Sequence, residues 1–151
     1  MMNKFLGLLI LLFALNCKPT QQPKDMTYEK VVVIGKGSLY GSGAEGIDKA
    51  NLVISNPEDW EGLLQKMNSV NKVSDSFSET EIDFSKYRVI AVFDDVKTTG
   101  GHSIALNVMD NSDHVLIDVI YKSPNGIANT AMMQPYYIAK LIKSDRPIRF
   151  K

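Results

Sequence analysis

The sequence predicts an α+β domain: a mainly antiparallel β structure, sandwich-like or barrel-like, with one packed α-helix. Three observations point there. Runs of β-branched and aromatic residues recur along the chain between turn signals. A single segment, residues 56–67, carries apolar residues at helical spacing. Every strand after that segment follows its predecessor without a second helix, which argues against the strand–helix alternation of a parallel sheet.

The first strand is expected at Val31-Val32-Val33-Ile34. Five glycines follow at positions 35, 37, 41, 43 and 46, with Lys36, Tyr40 and Glu45 among them. This stretch reads as a flexible connection to a second strand, Lys49 to Ser55, returning beside the first as a hairpin. It is a poor phosphate cradle, because Lys36 is misplaced for GxxxxGK[ST] and no helix opens behind the glycines.

Asn56 is a capping residue, Pro57 suits the first helical position, and Glu58 and Asp59 favour the positive end of the helix dipole. Trp60, Leu63, Leu64 and Met67 then form one stripe at i, i+3, i+4 and i+7. From Met67 to Glu81 the chain is polar and reads as a loop, with Val70, Val73 and Phe77 its sizeable apolar groups. Strands follow at Tyr87 to Phe93, Ser103 to Met109, Val115 to Tyr121, Tyr136 to Ile142 and Ile148 to Phe150. Asp110-Asn111-Ser112-Asp113 should turn a hairpin between the second and third of these.

Ahead of the domain, Lys4 precedes an apolar run from Phe5 to Leu15. About 11 residues make an export h-region, whereas spanning a bilayer takes about 20. Ala14-Leu15-Asn16-Cys17 resembles a lipobox, so residues 1–17 are expected to be a lipoprotein signal peptide ending at a lipidated Cys17. That cysteine is the only one in the chain, so no intramolecular disulfide can form. Residues 18–27, with Pro19 and Pro23, read as a tether, and residues 28–151 as the domain. The expected localisation is the cell envelope, lipid-anchored by palmitate-type acylation to the outer membrane and facing the periplasm or the surface. The chain holds 17 basic and 17 acidic residues, and loss of Lys4 leaves 16 against 17. No long-range field favours nucleic acid.

From Trp60 onward the chain resembles the PrcB family, accessory subunits of a bacterial surface protease complex. The resemblance is carried by Trp60, Ile82-Asp83-Phe84-Ser85, Val89-Ile90-Ala91-Val92, Thr99-Gly100-Gly101 with Ser103-Ile104, Pro124, and Gln134-Pro135-Tyr136. Family members usually read Pro-Thr-Gly-Gly-aromatic at the turn, where this chain has Thr98 and His102 at the flanks. The resemblance implies a non-catalytic, often lipid-anchored, mostly β domain; a protease partner is documented for the family's namesake alone, and a stabilising subunit of an extracytoplasmic protease complex is the first functional reading. It supplies no catalytic residues and no cofactor.

Thr98, Thr99, Gly100, Gly101 and His102 are the candidate partner-binding residues, because paired glycines let a turn bring its backbone close to another surface. The alternative is a tight connection that the fold demands. Thr98-Thr99-Gly100 is also similar to a turn of chagasin-like protease inhibitors, which makes inhibition through this turn the second functional reading. A hydrolase is the third, with His102 or His114 as base, although there is no Gly-x-Ser-x-Gly elbow and the cysteine is expected to be acylated. Metal binding by His102, His114, Asp94 and Asp95 is disfavoured, since neighbouring strand residues point to opposite faces; the two aspartates read as solvated residues at a strand end. Tyr136, Ile138, Lys140 and Ile142 should share one strand face, and Tyr137, Ala139 and Leu141 the other.

Overall fold

The structure is a computed structural model that describes residues 27–28, 31–126 and 128–151. The signal segment, Cys17 and most of the tether lie outside the described residues. In chain order the elements are β1 (Thr27–Tyr28), β2 (Val32–Leu39), β3 (Ala50–Ile54), α1 (Pro57–Met67), a single 3-10 turn (Val73–Ser76), β4 (Tyr87–Phe93), β5 (Ser103–Asp110), β6 (Val115–Lys122), β7 (Gln134–Ile142) and β8 (Ile148–Phe150).

The strands form two four-stranded sheets. The central sheet has the order β2-β7-β4-β3 and the outer sheet β1-β5-β6-β8. All pairs are antiparallel except β6 with β8. The expected α+β sandwich with one packed α-helix is therefore present, with the helix, the central sheet and the outer sheet as successive layers. The parallel pair arises because β8 follows a strand of the other sheet, so no hairpin sets its direction. Arg146 fixes this crossing: its Nη2 donates to Asp110 Oδ2 at 2.9 Å and its Nη1 to the Asn111 carbonyl at 2.7 Å.

Alternation along β4 builds two cores, one on each face of the central sheet. Val89, Ala91 and Phe93 pack with Ile34, Ile54, Trp60, Leu63, Met67 and Ile138 on the helix side. Ile90 and Val92 pack with Leu141, Ile104, Val108, Val115 and Ile117 between the sheets. The faces expected of β7 are observed, with Tyr136 and Ile138 in the first cluster and Tyr137 and Leu141 in the second.

The helix starts as its sequence dictates. Asn56 Oδ1 accepts from the Asp59 amide at 2.9 Å, and Pro57 occupies the first turn. Trp60 is buried, and its indole N–H donates to the Thr80 carbonyl at 2.7 Å. That bond ties the polar 68–81 segment to the helix. The segment is less of a loop than its composition suggests: Asn68 bonds Ser74 through both side-chain atoms, which stabilises the 3-10 turn and presents Val73 and Phe77 to the core. Asp83 then turns the chain into β4 by accepting from the Ser85 amide at 3.0 Å and pairing with Lys86 at 2.9 Å. Hydrogen bonds from the Ser85 hydroxyl and from Lys86 lower the Asp83 carboxyl to about 2.

The expected hairpin of the first two long strands is not formed. β2 pairs with β7 and β3 with β4, so they lie on opposite edges of the central sheet. The strands that separate them come from far down the chain, and local turn chemistry carries no record of that insertion. Nor is the glycine stretch only a connection. β2 runs on through Gly35 and Gly37. A Cβ at Gly35 would stand 2.5 Å from the Phe77 ring, so this glycine lets the aromatic ring cover the strand. Further on, Glu45 is buried and accepts from the Gly41 amide at 2.9 Å, fastening the crossing to β3.

Replacing Trp60 by Ala removes the main apolar anchor of the helix and the hydrogen bond to Thr80 together. The expected loss of unfolding free energy is about 3–5 kcal/mol, read as a lower urea midpoint with little change in slope.

Candidate functional site

The Thr98–His102 segment joins the central sheet to the outer one, and contacts at both ends set its shape. At the start stands Asp94, just beyond β4. It is buried, not solvated as a strand-end aspartate was expected to be. Its carboxylate pairs with Lys49 at 3.0 Å and Lys97 at 2.9 Å, and accepts from the Asp95 amide at 2.8 Å. Burial alone would raise the Asp94 pKa, but the hydrogen bonds from Lys97 and Lys49 hold the carboxyl below its usual range. The same bonds, with those to Asp95, push Lys49 up. Lys49 also lies over the Tyr121 ring, 4.5 Å from its centroid, linking the two sheets. Asp94 and Asp95 do not act as a chelating pair: Asp95 is exposed and its carboxylate also holds Lys49, at 3.1 Å.

The turn itself is sewn to the β6–β7 connection. Lys97 and Met133 exchange backbone hydrogen bonds at 2.7 and 3.0 Å, and the Gly100 amide donates to the Asn129 carbonyl at 3.0 Å. Gly100 is buried. Gly101 has φ +84°, and a Cβ there would lie 2.9 Å from Pro124 Cβ. Both glycines are thus accounted for by packing against residues 124–129. Thr99 Oγ1 and His102 Nε2 are 3.0 Å apart, closing the turn internally. Thr98 and Gly101 remain exposed.

The other motifs of the resemblance have similar uses. The Gln134 amide nitrogen donates to the Ile47 carbonyl at 2.8 Å and the Asp94 carbonyl at 3.0 Å. Pro135 sits in β7 where β4 has already ended, and its carbonyl accepts from the Asp94 amide at 3.1 Å, so its missing N–H breaks no ladder there. Tyr136 packs on Phe77 and Phe93 with centroids 6.1 and 6.5 Å apart. Burial pushes the Tyr136 and Tyr137 phenols up.

Beyond His102 the surface opens into a cleft of about 370 Å³ between the two sheets. One wall is Lys36, Gly37 and Ser38 of β2. The other is Ser103 to Leu106 of β5, with Lys122 of β6 and the two tyrosines completing it. The cleft exists because β1 pairs with the outer sheet and β2 with the central one. Among the described residues no strand pairs with the start of β5 on the side away from β6. Local sequence points to His102 and to Tyr136 and Tyr137 but not to the two lysines, since Lys36 and Lys122 are far apart in the chain and belong to no shared motif.

His114 takes no part in this cleft. It lies in the β5–β6 hairpin, 3.1 Å from the Asn111 amide nitrogen and 2.7 Å from Asp113. Among the described residues no group of three or more His, Cys, Asp or Glu is placed to hold a metal ion. Comparison with family models, with curated proteins and with solved structures finds no match for this chain.

Two outcomes follow from this geometry. Gly101→Ala should lose about 1–2 kcal/mol from the left-handed backbone alone, more than Gly100→Ala, whose obstacle is the movable end of the exposed Asn129 side chain; thermal unfolding of both variants measures the difference. Asp94→Asn should lose about 1–2 kcal/mol at neutral pH, a value discounted for the partial exposure of the lysines. Because the folded-state pKa of Asp94 is depressed, its stabilisation is full above the ordinary carboxylate pKa of about 4 and disappears as pH falls through the lower folded value. The gap between wild type and Asp94→Asn in urea unfolding should therefore close below about pH 4.

Proposed function

We propose that this chain is a non-enzymatic, lipid-anchored binding or accessory domain of the cell envelope, held at its membrane through Cys17 and serving an extracytoplasmic protein partner. The resemblance to the PrcB family makes a protease complex the partner of choice. The observation that carries the reading is the cleft beside the Thr98–His102 turn, where two strand edges from different sheets border one concave surface. Open strand edges are docking features for other polypeptides.

Both histidines support a structural assignment over a catalytic one. His102 is bonded to Thr99 within its own turn, and His114 to Asn111 and Asp113 within a hairpin loop. A general base needs an orienting partner together with a nucleophile facing substrate, and each of these rings instead closes a local loop. Inhibition through the turn is the weaker alternative, because Gly100 is buried and bonded to Asn129 and so does not project as a plug.

Metabolic labelling with palmitate and cross-linking in native membranes test the proposal together. The wild-type chain should take up label and co-purify with a specific extracytoplasmic protein, whereas Cys17→Ser should take up none and leave the membrane fraction. A wild-type chain that takes up no label contradicts the anchor. Turnover of a substrate by the purified chain, or absence of any specific cross-linked protein, contradicts the accessory role.

A further inference from the structure

We propose that the cleft between β2 and β5 takes up an extended, acidic segment of the partner protein as an added strand along the open edge of β5. The inference rests on the binding-domain reading above and supplies its site and the chemistry of the partner.

Three observations converge on it. First, β1 pairs with Met109 and Asp110, and among the described residues Ser103 to Leu106 have no strand neighbour on that side. An uncovered edge offers a row of backbone donors and acceptors that a partner strand can match. Ser103 to Leu106, the part that lines the cleft, spans about 13 Å at strand rise, room for about four residues. The opposite wall differs in kind. The outer edge of β2 is covered at Val33 and Ile34, where Ser78 bonds both carbonyls at 3.1 and 2.9 Å, and its uncovered part, Lys36 to Ser38, faces the cleft.

Second, charge in the cleft has one sign. Lys36 and Lys122 line it and no aspartate or glutamate does. Several other cations around the sheets are held by partners: Lys49 and Lys97 pair with Asp94, Lys140 with Glu79 and Arg146 with Asp110, while Arg88 and Lys143 bond the Arg146 and Phe84 carbonyls. Among the described residues Lys36 and Lys122 have no ion-pair partner, although net charge is close to balanced. A like-signed cleft selects an acidic occupant and repels a basic one.

Third, the lining is layered. Ile104, Leu106 and Tyr137 belong to the inter-sheet core and form the apolar floor, while Lys36, Ser103 and Lys122 are exposed at the rim. An added strand presents alternate side chains to opposite sides. The fitting sequence therefore alternates apolar with acidic residues, one set toward the floor and the other toward the lysines.

The test uses the full chain purified in detergent and two fluorescent eight-residue peptides, one alternating valine with glutamate and the other valine with lysine. The acidic peptide should bind by anisotropy and shift the amide resonances of Ser103 to Leu106, and the basic peptide should not bind. Lys36→Glu/Lys122→Glu should weaken the acidic peptide by about tenfold or more, and raising salt should weaken wild-type binding. Both lysines are exposed, so the fold should persist; the wild-type salt series stands independently if it does not. Binding unaffected by charge reversal and salt, amide shifts confined to another surface, or equal binding of both peptides overturns the inference. So does an acidic peptide that does not bind. A partner cross-linked in membranes equally by wild type and Lys36→Glu/Lys122→Glu overturns this site while leaving the accessory role standing, whereas loss of every partner removes the role itself.

Discussion

Burial of β4 on both faces is the constraint from which the architecture follows. Val89, Ala91 and Phe93 need cover on one side, Ile90 and Val92 on the other, and no single helix or sheet can provide both. The helix and the segment that follows it, with Val73 and Phe77, satisfy the first requirement, and the outer sheet the second. A central strand with no polar face cannot sit at an edge, so β4 takes an interior place between β3 and β7. That placement drives β2 and β3 to opposite edges and forces the chain to cross the sheet between them.

At the end of β4 the same strand hands over to polar chemistry. Asp94 is drawn inside by the strand that precedes it and is made tolerable there by two lysines and an amide. A buried carboxylate without such partners would be strongly disfavoured. Lys49 approaches from the start of β3 and Lys97 from the start of the turn, so one charge fixes where two chain segments begin. Gln134 adds a third, bonding the Asp94 carbonyl from β7. The cleft beside the turn borders this junction, between the edge of β2 and the start of β5.

Much of this was open to reading residue by residue. The helix with its Asn56 cap, the hairpin around Asn111 to Asp113 and the two faces of β7 follow from periodicity and turn chemistry, and each is found where it was expected. The left-handed backbone that a paired-glycine turn suggests is found at Gly101 and not at Gly100, and what crowds each lies in Pro124 and Asn129, over twenty residues away. Asp94 was misjudged because a pattern of neighbours cannot show that lysines 45 residues before and three after will converge on one carboxylate. The 68–81 segment was underestimated because its order comes from side-chain bonds to Asn68 and Trp60, which leave no period in the sequence.

Local sequence sufficed for the α+β class, the number of the long strands and the approximate bounds of all but β2, the helix and its cap, since these depend on side-chain alternation and backbone preference within a few residues. Strand order, the parallel β8, the opposite placement of β2 and β3, the burial of Asp94 and the cleft joining Lys36 to Lys122 depended on the folded chain. Each of them is a contact between segments tens of residues apart, selected by which arrangement buries both faces of β4 at once, and that selection is a property of the whole packing that no short stretch encodes.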